Sequence, residues 1–207
     1  MALDAKGYFQ YLKSYLNMDY YAIDTNMHNE LKLDEKIFTP DGEKEISITF
    51  NVDGDAFAFK LDKLNDKKGR SKGEPKHLSL FHFLNNEGKP WSRRCDFVIF
   101  HLHQNRIKVY CLEYKYKSLP VDGVISQLKS SEDWCRSLYS VINIYTGKRK
   151  RLNLTKYVLS YCEDPKKYLD AEEKYLTRDP SIRHYHYDDV DGMNLHELEH
   201  ATVETIG

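Results

Sequence analysis

The chain reads as an α/β (α+β) protein with a central mixed sheet flanked by helices, and three observations carry that reading. An amphipathic stripe opens the chain, with Leu3, Tyr8, Leu12, Tyr15, Leu16 and Tyr20 at helical spacing. Two apolar strand-like runs, Phe97–Phe100 and Val109–Leu112, follow near the middle, joined by the short connection His103-Gln104-Asn105-Arg106. A second helical stripe then places Val124, Leu128, Trp134, Leu138 and Val141 on one face.

Taken in order, the N-terminal helix spans about residues 3–21 and covers a sheet. Two alternating runs, Glu45–Phe50 and Ala56–Leu61, are separated by Asn51-Val52-Asp53-Gly54-Asp55, where Asp-Gly supplies a turn; they predict a hairpin. The segment from Asn65 to Lys76 is rich in Lys, Gly and Pro without an apolar period, and predicts an exposed loop. The two central strands should be antiparallel neighbours, and apolar residues on both their faces predict a sheet covered on both sides. After Pro120, Asp122 is a candidate N-cap for a helix over about 122–141. Thr155–Tyr161 predicts a further buried strand, and Asp164-Pro165 opens a more polar part with a short helix over Lys166–Leu176 and an aromatic stretch, Arg183–Tyr187. A length of 207 residues suits one domain, 1–207, with its core at about 44–162 and an appendage at 163–207.

Composition narrows the function classes. With 41% apolar and 30% charged residues the chain can bury a core, so disorder is excluded, and its apolar runs are far too short to span a bilayer. A soluble, cytoplasmic protein without a membrane partner is expected. The formal charge of −1 neither demands nor excludes a nucleic acid. Cys95, Cys111, Cys135 and Cys162 lie far apart with no CxxC pair, which argues for reduced, buried thiols rather than a zinc site or a disulfide framework.

The chemistry-bearing residues stand at the ends of the central strands. Asp96 immediately precedes one apolar run, and Glu113-Tyr114-Lys115 closes the other. Positions i and i+2 share a face of a strand, so Glu113 and Lys115 point into one pocket, and antiparallel pairing can bring Asp96 beside it. Two carboxylates and a lysine suit phosphodiester hydrolysis: the acids hold Mg²⁺ or Mn²⁺, and the lysine orients water or steadies developing negative charge.

On these residues the sequence resembles the PD-(D/E)xK nuclease superfamily, with its restriction-endonuclease-like core of order roughly α-β-β-β-α-β. The likeness covers about Trp91 to Ser131. It implies that Asp96 and Glu113 are catalytic and hold the metal with the Tyr114 backbone carbonyl. It also implies that Lys115 is the catalytic lysine and that Gln127 helps position that lysine or a metal-bound water. Cys95 stands where the superfamily's proline often is, and Ser131 where one exonuclease branch has tyrosine. Some members add a glutamate from the first helix, for which Glu30 is the candidate.

The function expected is therefore metal-dependent hydrolysis of nucleic acid, DNA by preference, in a defence or repair setting. The alternative is a nuclease-fold subunit that binds nucleic acid or a protein partner without turnover. A third reading is an unrelated α/β interaction domain whose acids are rim charges. Duplex cleavage needs two sites, which would make a homodimer or a place in a larger complex natural. Phosphate contacts are expected from Lys117, from the Lys148-Arg149-Lys150-Arg151 run and from Lys67, Lys68 and Arg70, unless these are simply solvated. His101 and His103 read as polar strand ends, and His196 and His200 do not match a zinc-protease helix. The sixteen tyrosines fall mostly at core positions rather than on a base-stacking platform.

Overall fold

The structure is a computed structural model and describes residues 4–18, 22–24, 29–39, 42–61 and 89–200. Helix α1 (Ala5–Tyr15) leads into strands β1 (Ala22–Asp24), β2 (Glu30–Thr39), β3 (Gly42–Asn51) and β4 (Asp55–Lys60). Strands β5 (Phe97–His103) and β6 (Arg106–Lys115), the long helix α2 (Val121–Thr146) and β7 (Leu154–Ser160) follow. The chain then adds β8 (Tyr175–Leu176), β9 (Asp179–His186) and the single-turn helix α3 (Tyr187–Val190). The expected class is the one found: a mixed α/β architecture around a seven-stranded mixed sheet of order β1-β4-β5-β6-β7-β9-β8.

Local chemistry accounts for the central elements. The β5–β6 connection is a two-residue turn in which Gln104 and Asn105 both take positive φ (47° and 58°), the handedness that matches strand twist. The parallel pairing of β6 with β7 needs a long crossover, which the 26-residue α2 provides before Gly147 ends it in the left-handed region (φ 64°). Both faces of the sheet are covered. On one, α1 contributes Tyr8, Phe9 and Leu12 and α2 contributes Val124, Leu128 and Ile142, packed on Phe57, Val98, Phe100, Val109, Cys111 and Val158. On the other, the β2–β3 pair lays Leu31, Leu33, Ile48 and Phe50 over Phe97, Ile99, Leu112 and Leu159. All four cysteines are buried and free, as their spacing suggested. Among the described residues no helix is long and apolar enough to cross a membrane.

Four local expectations are corrected. First, Glu45–Phe50 and Ala56–Leu61 do not form a hairpin: β3 pairs with β2, while β4 lies in the main sheet between β1 and β5. In β3 the buried Ile46, Ile48 and Phe50 alternate with exposed or half-exposed neighbours, whereas Ala56–Phe59 are buried without a break. A strand with one wet face belongs in a covering layer, and one buried on both faces belongs in a covered sheet. Second, α1 is shorter than 3–21, burying Phe9 and leaving Tyr15 exposed. Third, α2 runs further than 122–141, with Pro120 at its cap, Asp122 inside the first turn and ion-paired to Arg178, and Val141 exposed because the buried stripe passes through Tyr139 and Ile142. Fourth, no helix spans Lys166–Leu176: one 3₁₀ turn (Lys166–Tyr168) is followed by a bend in which the Asp170 carboxylate accepts the amides of Lys174 (2.8 Å) and Tyr175 (3.2 Å). Such side-chain acceptors compete with helical pairing. The expected 65–76 loop lies outside the described residues.

The step between the two layers turns on Gly54. Its φ is +100°, and a Cβ there would sit 2.3 Å from the Leu102 carbonyl oxygen. Gly54→Ala should therefore cost about 2 kcal/mol or more, which urea unfolding of the two proteins would measure.

Candidate active site

Register brings the two predicted carboxylates to one end of the sheet. The β5–β6 ladder ends on Phe97 with Leu112, so Asp96, in the bend just before β5, and Glu113, the next residue of β6, stand at the same end of the two strands. Glu113 lies on the face carrying Cys111 beneath the helices. Because β5 begins at Phe97, the Tyr114 amide meets no strand on that side. The Asp96 carboxylate takes its place, with Oδ2 accepting the Tyr114 N–H at 2.6 Å. Tyr114 turns its ring to the opposite face, against Phe97 and Tyr187.

Glu113 is fully buried, and its Oε1 accepts from the Lys115 ammonium two positions on. A carboxylate removed from water needs such a partner. The Lys115 side chain is 20% exposed, so the pair runs from the interior to the lip of the sheet. Helix α2 holds the approach to Asp96. Gln127 donates through Nε2 to the Arg94 carbonyl (3.2 Å), and Ser131 Oγ accepts the Cys95 amide (2.7 Å) while donating to the Gln127 carbonyl (3.0 Å). From the other side, Leu61 donates its amide to the Asp96 carbonyl (3.1 Å) and Arg94 Nη1 donates to the Leu61 carbonyl (3.0 Å). Gln127 thus clamps the segment that presents Asp96, and Ser131, where the resemblance has tyrosine, is its companion.

The same end of the sheet holds groups that the sequence reading missed. In the parallel register Lys115 aligns with Ser160 and Val158 with His184, so Ser160 and His184 lie on the face of Glu113 and Lys115. Ser160 Oγ stands 2.8 Å from His184 Nε2 and also accepts the Cys162 amide (3.2 Å). Burial pushes the His184 imidazole down to about 4, so at neutral pH it is uncharged and hydrogen-bonded to the Ser160 hydroxyl. The signal was the one that marked Glu113, a polar residue closing an apolar strand. Without the β7–β9 pairing it could not be joined to anything. Tyr116, Tyr161 and His186, all half-buried, form an aromatic rim, with Tyr161 stacked on Tyr187 at 4.4 Å. The Tyr187 and Tyr114 phenols are pushed up, mainly by burial and further by the charge of Asp96 and Glu35. Glu35 itself reaches Lys60 at 2.7 Å, and Lys60 lies over the Phe97 ring at 5.1 Å.

Other candidates fall elsewhere. Glu30 is not on the first helix; it is exposed at the start of β2, opposite Asn51, and belongs to the covering hairpin. Because Glu35, not Glu30, is the β2 acid that reaches the Asp96 end of the sheet through Lys60, Glu30 is removed from the metal set. Lys117 is exposed beyond the end of β6, over the Tyr116 ring at 5.5 Å, so it does not share the Glu113 face by strand parity. Lys148, Arg149, Lys150 and Arg151 precede β7, whose first residue pairs with Val109; at about 3.3 Å per residue they lie roughly 20 Å down the sheet from Lys115. Lys67, Lys68 and Arg70 are outside the described residues. His101 and His103 are on the opposite face, where His101 Nε2 donates to the Asp53 carbonyl (2.7 Å) and the His103 ring stacks on His196 at 4.6 Å.

Among the described residues no three His, Cys, Asp or Glu side chains are grouped as a metal cage. Asp96 and Glu113 are a two-carboxylate, all-oxygen set, which suits Mg²⁺ or Mn²⁺, ions that use one or two carboxylates and otherwise water and substrate oxygens. No protein-family model, curated protein or solved structure matches the chain.

Proposed function

We propose that the chain is a divalent-metal-dependent nuclease with a restriction-endonuclease-like core, acting on DNA. The observation that carries this reading is the meeting of Asp96, Glu113 and Lys115 at one end of two paired strands, where Asp96 accepts the amide of Tyr114, the residue between Glu113 and Lys115, under a helix that clamps the segment leading to Asp96. Chain order adds support: α1, then β4, β5 and β6 as an antiparallel run, then α2 and the parallel β7 follow the α-β-β-β-α-β sequence of that core.

In this reading Asp96 and Glu113 hold the ion, with the Tyr114 carbonyl as a further oxygen. That ion, when bound, supplies Lewis acidity and a water of lowered pKa. With an ion held there, the Lys115 ammonium would orient water and stabilise charge building on the scissile phosphate. The half-buried Tyr116 and Tyr161 offer faces on which bases can stack.

A second reading has its own observation. The Glu113–Lys115 ion pair and the Asp96–Tyr114 hydrogen bond engage one oxygen of each acid without any ion, as they would in a subunit that keeps the core but not turnover. Calorimetry with Mn²⁺ and digestion of circular plasmid, linear DNA and RNA, run beside Asp96→Asn, separate the two. Asparagine retains an acceptor for the Tyr114 amide, so the fold should survive. Metal-dependent DNA cleavage lost in Asp96→Asn is the expected result; no cleavage of any substrate, with or without Mn²⁺ binding, selects the subunit, and cleavage undiminished in Asp96→Asn defeats the assignment of the metal ligand.

A further inference from the structure

Three neighbouring strands end on aromatic residues near Asp96. Tyr116 follows β6, Tyr161 follows β7 and His186 closes β9. Backbone pairing fixes their spacing. The Tyr161 amide donates to the carbonyls of both Lys115 (3.3 Å) and Tyr116 (3.0 Å), and Ser160 pairs with Lys115 on one side and with His186 on the other. Tyr161 thus leaves the strand next to Lys115, at a separation of about 5 Å. Glu113 and its partner Lys115 belong to the helix-covered side of the sheet, with Cys111, whereas Tyr116 and Tyr161 pack on the other side, against the cluster that holds Tyr114 and Tyr187.

The aromatic rim is assembled before any ligand arrives. Tyr161 stacks on Tyr187, with 4.4 Å between centroids and 21° between planes, and Tyr116 and His186 stand nearly at right angles to it, at 6.2 and 5.3 Å. Asp188 ties two of these rings together, accepting the Tyr161 hydroxyl and lying 3.5 Å from His186 Nδ1. Tyr116, Tyr161 and His186 are half-buried, so each keeps part of its ring open. Charge divides this corner. The carboxylates of Asp188 and Asp191 act on Tyr161, while Lys115 and Lys117 stand at the end of β6, Lys117 at 5.5 Å from the centre of the Tyr116 ring. Phosphates are drawn to the lysines and repelled from the rim, and an uncharged base feels neither force.

We infer that this rim takes an unpaired base of the strand whose phosphate lies at Lys115, so that the substrate is single-stranded DNA and not continuous duplex. The inference deepens the nuclease reading and rests on it. A base that stacks on a protein ring must present a face, and inside a duplex both faces are covered by neighbouring bases. Phosphate and rings also lie on opposite sides of the sheet's end, so the strand has to turn across the lip between them. A flexible single strand makes that turn, and a stiff, stacked duplex does not.

The test is anisotropy titration of the full chain in EDTA, which prevents cleavage, with a single-stranded oligonucleotide, the same strand made abasic throughout, and its duplex. The single strand should bind at least about tenfold tighter than the abasic strand, which keeps every phosphate and loses every base. Tyr161→Leu and Tyr116→Leu should each weaken the single strand about tenfold, the effect of losing one stacking ring, and leave the abasic strand unchanged. Tyr161→Phe keeps the ring and should hold the affinity within about twofold. If Tyr161→Leu unfolds because it uncovers Tyr187, Tyr116→Leu and Tyr161→Phe carry the comparison. Equal affinity for the single and abasic strands, duplex bound as tightly as the single strand, or leucine variants that weaken both strands alike or neither, overturns the assignment. Digestion of the same DNAs in Mn²⁺ separates this inference from the reading beneath it. Base-dependent binding without any cleavage overturns the nuclease reading alone, and duplex cleaved as fast as the single strand overturns this inference alone.

Discussion

Glu113→Gln should lower metal-dependent DNA cleavage by two to three orders of magnitude, the scale on which removing one charge-stabilising group acts, while leaving stability nearly unchanged. The amide is isosteric with the carboxylate and can still accept from Lys115, but it no longer offers a metal an anionic oxygen. The Lys115 ammonium, one-fifth exposed, can turn to water. Lys115→Met should be the informative contrast. It too should abolish cleavage, but it strands the fully buried Glu113 without its cation, at a cost of about 3 kcal/mol or more. Cleavage rates and urea unfolding of the three proteins check this asymmetry. Undiminished cleavage by Glu113→Gln would falsify the assignment of the metal ligand.

The second large effect is acid lability. His101 and His184 are both buried, and burial pushes each down to about 4 from an ordinary value of 6.5. For His101 the Asp53 carbonyl opposes the shift, and the neighbouring His103, Lys108 and His196 reinforce it. For His184, Arg183 and His186 reinforce it and Asp189 opposes it. Between those limits the unfolded chain binds more protons than the folded one, so stability rises with pH through that window and is lost as pH drops from about 6.5 toward 4. By pH 5 each histidine should have removed about 2 kcal/mol. Urea unfolding at pH 7.5, 6 and 5 should show a steep decline, roughly halved in slope by His184→Gln, whose amide can still meet Ser160. A flat profile from pH 7.5 to 5 would show that these imidazoles are not held neutral by burial.

What could be read without coordinates was set by short-range rules. The two central strands and their tight connection followed from apolar runs bounded by polar residues, and α2 followed from a 3.6-residue period. The pairing of Glu113 with Lys115 followed from the two-residue repeat of a strand, which no tertiary context can alter. The arrival of Asp96 at the Glu113 end of β6 needed one more inference, an antiparallel neighbour, and the two-residue turn at Gln104-Asn105 made that inference local as well.

Decisions between distant segments were not written in any such period. The apolar alternation of Ile46, Ile48 and Phe50 suits a strand beside β4 as well as one beside β2, and only the competition for a doubly covered position in the sheet separates the two. Gln127 was placed on the right helix, but its partner, the Arg94 carbonyl, depends on how α2 lies across the segment before β5. Ser160 and His184 become neighbours only through a parallel pairing across a long connection. Residue types and spacings determined which side chains share a strand face or a helix stripe, because those relations extend over a few residues of one chain segment. Tertiary packing decided which faces meet, because that choice depends on burying apolar surface over the whole molecule at once.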